Sequence, residues 1–161
     1  MTTELRVVRQ NARDLYELRR RVLRGNDPRS TVAHPRDDEE STLHLGGVLD
    51  GRVVVGASFY RARRSDDGAP VTYQLRYMAA DSDVRGRGYG TLVLAEAERV
   101  LLDAGTRVVW ANARDSALGF YRATGWLVLE GSEHLSVETN LPHSVIVKWL
   151  EDGARSRSTS G

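Results

Sequence analysis

The chain has 161 residues, 40% of them hydrophobic, enough to bury one sizeable core and to form a single domain over residues 1–152. Its 23 basic and 22 acidic residues nearly cancel to a formal charge of +1, which excludes the strong basic excess of a general nucleic-acid binder. Zero cysteines exclude disulfides, thiolate metal sites and a cysteine nucleophile, and His34, His44, His134 and His143 lack metal-ligand spacing, so no metal site is expected.

Residues 5–9 read as a first strand and residues 11–24 as an amphipathic helix, with Leu15, Leu18, Val22 and Leu23 near one stripe. Residues 25–41 are polar and irregular. Residues 42–49 and 52–63 form a hairpin pair around Asp50-Gly51, a strong two-residue turn signal. A second turn at residues 65–70 leads into a strand over 71–80. A helix over 91–104 stops at Gly105, and a short apolar strand follows over 107–111. A further helix carries Phe120-Tyr121, then strands lie near 126–130 and 144–150; residues 153–161 are small and polar and are expected to be disordered. No apolar run reaches the 18 residues of a membrane span and no signal peptide is visible, so a soluble cytoplasmic protein that does not enter a membrane is expected.

The segment between the 71–80 strand and the following helix carries the chemistry. It reads Val84-Arg85-Gly86-Arg87-Gly88-Tyr89-Gly90-Thr91. Three alternating glycines disfavour regular structure, but they let a ligand approach consecutive backbone N–H groups as a helix begins. Those groups and the helix dipole make an anion site, most often for phosphate. A Walker A loop needs Gly-Lys-Ser/Thr, and the single lysine here is the distant Lys148. A Rossmann loop needs its third glycine one residue later than Gly90, and an acidic residue about 20 positions on. An ordinary glycine-rich connection is the remaining alternative for these residues alone.

Arg85-Gly86-Arg87-Gly88-Tyr89-Gly90 also fits the Arg/Gln-x-x-Gly-x-Gly/Ala turn of the GNAT family of N-acetyltransferases. The stretch from Asn112 to Ala117-Leu118-Gly119-Phe120-Tyr121-Arg122-Ala123-Thr124-Gly125-Trp126 resembles the second half of the same family's coenzyme-A site. The resemblance spans residues 5–150 and is specific over 73–126. It implies an α/β fold with a mixed, mostly antiparallel central sheet, a splayed strand pair and flanking helices. It departs at Ala80-Asp81-Ser82, where the family often has Val-x-Pro; losing the proline removes a rigid corner but not the backbone amides.

The resemblance further implies acetyl-coenzyme A as acetyl donor. Its pyrophosphate would lie on Arg85, Gly86, Arg87, Gly88, Tyr89, Gly90 and Thr91, and its pantetheine arm on Met78, Ala79, Ala80 and Asn112. Tyr121 corresponds to the tyrosine whose hydroxyl lies near the thioester sulfur, and it would be the catalytic acid. The acceptor would be a primary amine of a small molecule or peptide, with the base open among His44, Glu39, Glu40 and water. The acidic run Asp37-Asp38-Glu39-Glu40 would favour a cationic acceptor. A homodimer through the C-terminal strands is also expected. The competing readings are a non-catalytic acyl-coenzyme-A sensor and an interaction module on the same fold.

Overall fold

Asp50 and Gly51 both take positive φ, 51° and 76°, the pair that a tight antiparallel hairpin requires. They join β2 (Leu43–Leu49) to β3 (Arg52–Arg61), and β1 (Arg6–Arg9) pairs antiparallel on the other side of β2. The computed structural model describes residues 4–62 and 71–151. The expected turn at 65–70 and the expected disordered tail at 153–161 lie outside the described residues. Described residues divide into two compact units, 4–61 with 76–100 and 62 and 71–75 with 101–151.

In the first unit the strand order is β1-β2-β3-β4, where β4 (Thr72–Ala80) contributes residues 76–80. α1 (Ala12–Leu18) packs on β3 through buried Leu15 and Leu18, each 2% exposed. Burying a leucine contributes about 1.5–3 kcal/mol, so this pair anchors the helix. Asn11 and Asp14 form a capping box that satisfies the first turn. The expected helix over 11–24 changes character halfway: residues Arg19–Leu23 form a π-helical turn, a geometry frequent at functional sites. Val22 and Leu23 are accordingly only half-buried. α2 (Tyr89–Asp103) turns Val93, Leu94 and Ala97 inward in this unit.

In the second unit β4 pairs parallel with β5 (Val108–Arg114), from Thr72↔Val108 to Gln74↔Trp110. The register ends there, although β4 continues to Ala80 and β5 to Arg114. β8 (Pro142–Trp149) runs antiparallel to β5 along its full length. The expected strand near 126–130 is only β6 (Leu127–Val128), and an unexpected β7 (His134–Leu135) joins β8. α3 (Leu118–Ala123) is short and ends at Gly125, φ 94°. All pairings except β4–β5 are antiparallel where a register is recorded, giving the mixed, mostly antiparallel α/β class expected. Among the described residues no helix is long and apolar enough to cross a membrane.

Gly47 tests the packing of the first unit. A Cβ built there would clash with Val55 Cγ1 and meet Leu5 Cδ1 at 3.1 Å, at a register irregularity in β2. Gly47→Ala should destabilise by about 1–3 kcal/mol through overpacking. The melting midpoint should then fall by about 2–4 °C per kcal/mol, measured by circular dichroism. An unchanged midpoint would mean that β2 gives way at no cost.

Candidate active site

The glycine turn begins where β4 ends. Residues Ser82–Val84 form a single 3₁₀ turn, Arg85 is extended, and Gly86 and Gly88 take φ of 82° and 80°. No atom lies within 4 Å of a Cβ built on either glycine, so the space above the turn is open. The first helical bond of α2 runs from the Leu92 N–H to the Gly88 carbonyl, 3.2 Å. Among the described residues, no backbone acceptor takes the N–H groups from Arg85 to Thr91. Such orphan donors at a helix start bind anions. Arg85, Gly86, Arg87 and Gly88 are exposed, Tyr89 and Gly90 are half-buried, and Thr91 is exposed. Met78 and Ala80 are half-buried beside buried Ala79 at the end of β4.

The sequence reading missed a network of buried polar groups in this same unit. Arg19 is 1% exposed. Its Nη1 donates to Asp37 Oδ2 and to the Val32 carbonyl, both at 2.9 Å, and its Nη2 donates to Ser58 Oγ at 2.7 Å. Asp37 also accepts from the Tyr60 hydroxyl, from the His34 N–H at 2.9 Å and from the Tyr16 hydroxyl at 3.4 Å. His44 Nε2 lies 2.9 Å from the Asp37 carbonyl, so it carries the proton, and Nδ1 accepts from Ser58 Oγ at 2.6 Å. The Arg19 guanidinium stacks on the Tyr77 ring at 4.0 Å. His34 lies 4.6 Å from the Tyr60 ring.

These contacts set the titration of the cluster. Burial opposes ionisation of Asp37, but hydrogen bonds from Arg19, Tyr60 and the His34 N–H hold its carboxyl below the usual range. Burial pushes the Tyr60 hydroxyl up, with Asp37 adding to the shift. Burial also pushes His44 down against the pull of Asp37, and pushes His34 down with help from Arg76. His44 therefore sits neutral with both ring nitrogens occupied, a structural role rather than that of a free base. Glu39 is clasped by Arg36 at 3.0 Å to each oxygen, while Glu40 is exposed. The acidic run thus has two of its carboxylates, Asp37 and Glu39, held by arginines.

Tyr77 adds a backbone feature invisible in sequence. It takes φ 57° without being glycine, a conformation that costs on the order of 1–3 kcal/mol. Its ring contact with buried Arg19 returns about 0.5–2 kcal/mol, so the guanidinium helps hold this kink in β4. The one available signal for the network is Arg19 itself, which falls four residues after Leu15 on the apolar stripe of α1, where a charge needs a buried partner.

Asn112 and Tyr121 belong to the second unit. Asn112 is exposed on β5 opposite Val145. Tyr121 is 6% exposed in α3, with its ring edge-on to Trp126 at 5.5 Å and to Phe120 at 5.2 Å. Burial pushes its hydroxyl well above the usual phenol range, so at neutral pH it stays protonated and is available as a hydrogen-bond donor. Gly125 lies against Lys148, whose Nζ donates to the Thr124 carbonyl at 2.6 Å and closes the turn after α3.

Comparison with known proteins converges on one family. The model of the "Acetyltransferase (GNAT) family" matches residues 12–126. The uncharacterized N-acetyltransferase YitI of Bacillus subtilis (strain 168) is 33% identical over 113 residues, covering 70% of this chain and 76% of that protein. The acetyltransferase of the GNAT family from Streptococcus pneumoniae superposes with a TM-score of 0.68 at 16% identity, covering 92% of this chain and 100% of that one. An aminoglycoside 6'-N-acetyltransferase complexed with coenzyme A gives 0.66 at 11% identity, covering 91% and 98%.

Two measurements test the buried network. Arg19→Leu leaves Asp37 buried without its partner and should cost about 3–5 kcal/mol in denaturant unfolding. For pH, His34 and His44 are held below their ordinary 6.5. The unfolded chain then binds more protons, so stability is full above about pH 6.5 and falls as pH drops below it. Asp37 and Asp81, held below 3.8, extend the loss in the same direction at lower pH. His44→Gln should flatten the slope of the urea midpoint between pH 6.5 and 5. An unchanged slope would show that His44 does not titrate there.

Proposed function

We propose, from the premise that this chain belongs to the acetyltransferase (GNAT) family and is an acyltransferase, that it moves an acetyl group from acetyl-coenzyme A directly to a primary amine of a small molecule or peptide. One observation carries the reading. Among the described residues the N–H groups from Arg85 to Thr91 have no backbone acceptor, and the space above Gly86 and Gly88 is open where a Cβ would stand. That is a cradle for a pyrophosphate. A neighbour in structure is complexed with coenzyme A, which supports the same ligand class.

The ligand supplies an acetyl thioester, and the chain supplies its binding and polarisation. The turn amides and the α2 dipole hold the pyrophosphate, with Arg85 and Arg87 adding mobile positive charge. The backbone of Met78, Ala79 and Ala80 takes the pantetheine amides, with Asn112 as a further donor to that arm. An N–H of the β4 end holds the thioester oxygen as negative charge develops on it. The Tyr121 hydroxyl, kept protonated by burial, donates to the sulfur as the C–S bond breaks. The acceptor amine loses its proton to water or to the exposed Glu40, because His44 is fully hydrogen-bonded and Glu39 is clasped by Arg36. With no cysteine in the chain, transfer without a thiol acyl-enzyme fits the composition.

A homodimer along the β8 side is part of the same reading. Leu127, Leu135 and Trp149 are 63%, 60% and 60% exposed on β6, β7 and β8, apolar surface that a second copy would cover. A monomer in sedimentation at micromolar concentration would remove it.

Thiol release from acetyl-coenzyme A across an amine library, with calorimetry against acetyl-coenzyme A, coenzyme A and NAD, tests the activity. Gly88→Glu places bulk and negative charge at the phosphate position, on a backbone with φ 80°, and should abolish coenzyme-A binding. Unchanged affinity would overturn the assignment of the turn. Tyr121→Phe should keep affinity and lower turnover by about 10²-fold, the low end for a positioned acid, since a thiolate is a moderately good leaving group. Full turnover would make Tyr121 a packing residue.

A further inference from the structure

The corner before the glycine turn is one place where this sequence departs from the family pattern, and the structure fills it with a charge clamp. Asp81 is 4% exposed, at the last position before the 3₁₀ turn Ser82–Val84. Arg21 grips it with two nearly parallel bonds, Nε to Oδ1 at 2.7 Å and Nη2 to Oδ2 at 2.9 Å. Arg52, at the start of β3, adds Nη2 to Oδ2 at 2.9 Å. The Asp81 backbone is fixed as well: its N–H donates to the Val54 carbonyl at 2.8 Å, and its carbonyl accepts from the Val84 N–H at 3.2 Å. Arg21 lies in the π-helical turn after α1 and is braced by Glu17 at 3.3 Å. One carboxylate therefore ties two other chain segments, the π-helical turn and the start of β3, to the root of the turn.

We infer that Asp81 is a positioning residue for coenzyme-A binding: the Arg21–Asp81–Arg52 clamp fixes the direction in which the chain leaves β4 and so presets the turn amides. This rests on the proposed function. The physical reason is preorganisation. The turn holds its ligand through a series of backbone donors and contains two glycines at positive φ, so left alone it would sample many conformations, and ordering it on binding would cost affinity. A bidentate arginine–carboxylate pair is directional as well as attractive. It fixes the peptide entering the turn where a proline ring would otherwise do so. The Arg21 bond is the strong half, because its side chain is 29% exposed against 58% for Arg52, and exposed pairs are screened by solvent.

The obvious rival is plain electrostatics, in which these charges merely alter the field at the phosphate site. Opposite charge changes separate the two. Asp81→Asn makes the neighbourhood more positive, and Arg21→Ala makes it more negative. A field effect predicts tighter binding in the first variant and weaker binding in the second. The clamp predicts that both weaken. Calorimetry with coenzyme A on each full-length variant, with folding checked by circular dichroism, should give a loss of about tenfold in both, equivalent to about 1.4 kcal/mol. In steady state the KM for acetyl-coenzyme A should rise while kcat and the acceptor KM stay. A loss of global packing would not produce that split.

A second arm repairs the corner by another route. Ser82 opens the 3₁₀ turn and its N–H has no backbone acceptor among the described residues, so proline fits there. Ser82→Pro in the Asp81→Asn background should recover roughly 2–5-fold in affinity by stiffening the free turn. Gly88→Glu is measured alongside. If Gly88→Glu loses coenzyme A while Asp81→Asn and Arg21→Ala stay within twofold of the parent, the clamp inference is overturned and the turn assignment stands. Shifts of opposite sign, or no recovery with Ser82→Pro, overturn it too. If Gly88→Glu itself still binds, the proposed function has failed, and separately.

Discussion

A guanidinium and a carboxylate taken out of water hold the first unit in one arrangement. Arg19 and Asp37 gather α1, the loop after it, β2, β3 and β4 through Ser58, Tyr60, His44 and Tyr77. Such a pair is not a large net source of stability. Desolvating two ions costs several kcal/mol each, and an apolar substitute of equal volume does as well or better. Its effect lies in the alternatives it penalises. Any shift of α1 along β3 would part Arg19 from Asp37 and leave a buried charge unmatched. Every polar atom that reaches the pair, from the Val32 carbonyl to the Ser58 hydroxyl, narrows the geometry further. Apolar packing of Leu15 and Leu18 supplies the attraction, and the ionic pair supplies the register.

The features that could be read in the sequence are those whose cause is local. Asp50-Gly51 forces a hairpin because two adjacent residues must take positive φ. Gly86 and Gly88 mark a tight, open turn because its geometry needs positive φ and no distant partner. The family resemblance then supplied Asn112 and Tyr121, which no spacing rule would have singled out. The features that escaped depend on distant partners. Arg19 meets Asp37, Ser58 and Tyr60 across 18 to 41 positions, and Asp81 meets Arg21 across 60. β6 and β7 are two residues long and exist only because β8 offers an edge. The π-helical turn preserves the helical span, so composition cannot distinguish it from continued α-helix. Nor does any neighbour of Tyr77 announce its positive φ.

Two arginines of that π-helical turn reach Tyr77 in β4 and Asp81 just after it, with different consequences. Arg19 is wholly buried and contacts Tyr77 through its ring. Arg21 is partly exposed and contacts Asp81 through its carboxylate. Salt would screen the second far more than the first. The two ion pairs therefore differ in their sensitivity to salt, although the two arginines stand two residues apart.

Between those two contacts lie Met78, Ala79 and Ala80. The β4–β5 register stops at Gln74, before these three residues. Giving up ladder bonds on one side weakens a strand, because those bonds are what keep it straight. Here the loss falls on a segment pinned at both ends by side chains, Tyr77 on Arg19 and Asp81 on Arg21 and Arg52. A kink at one end and a clamp at the other fix both ends of the segment. Arg19 and Arg21 come from the segment directly after α1 and Arg52 from the start of β3, so the placing of that helix on β3 and the shape of the end of β4 are parts of one constraint.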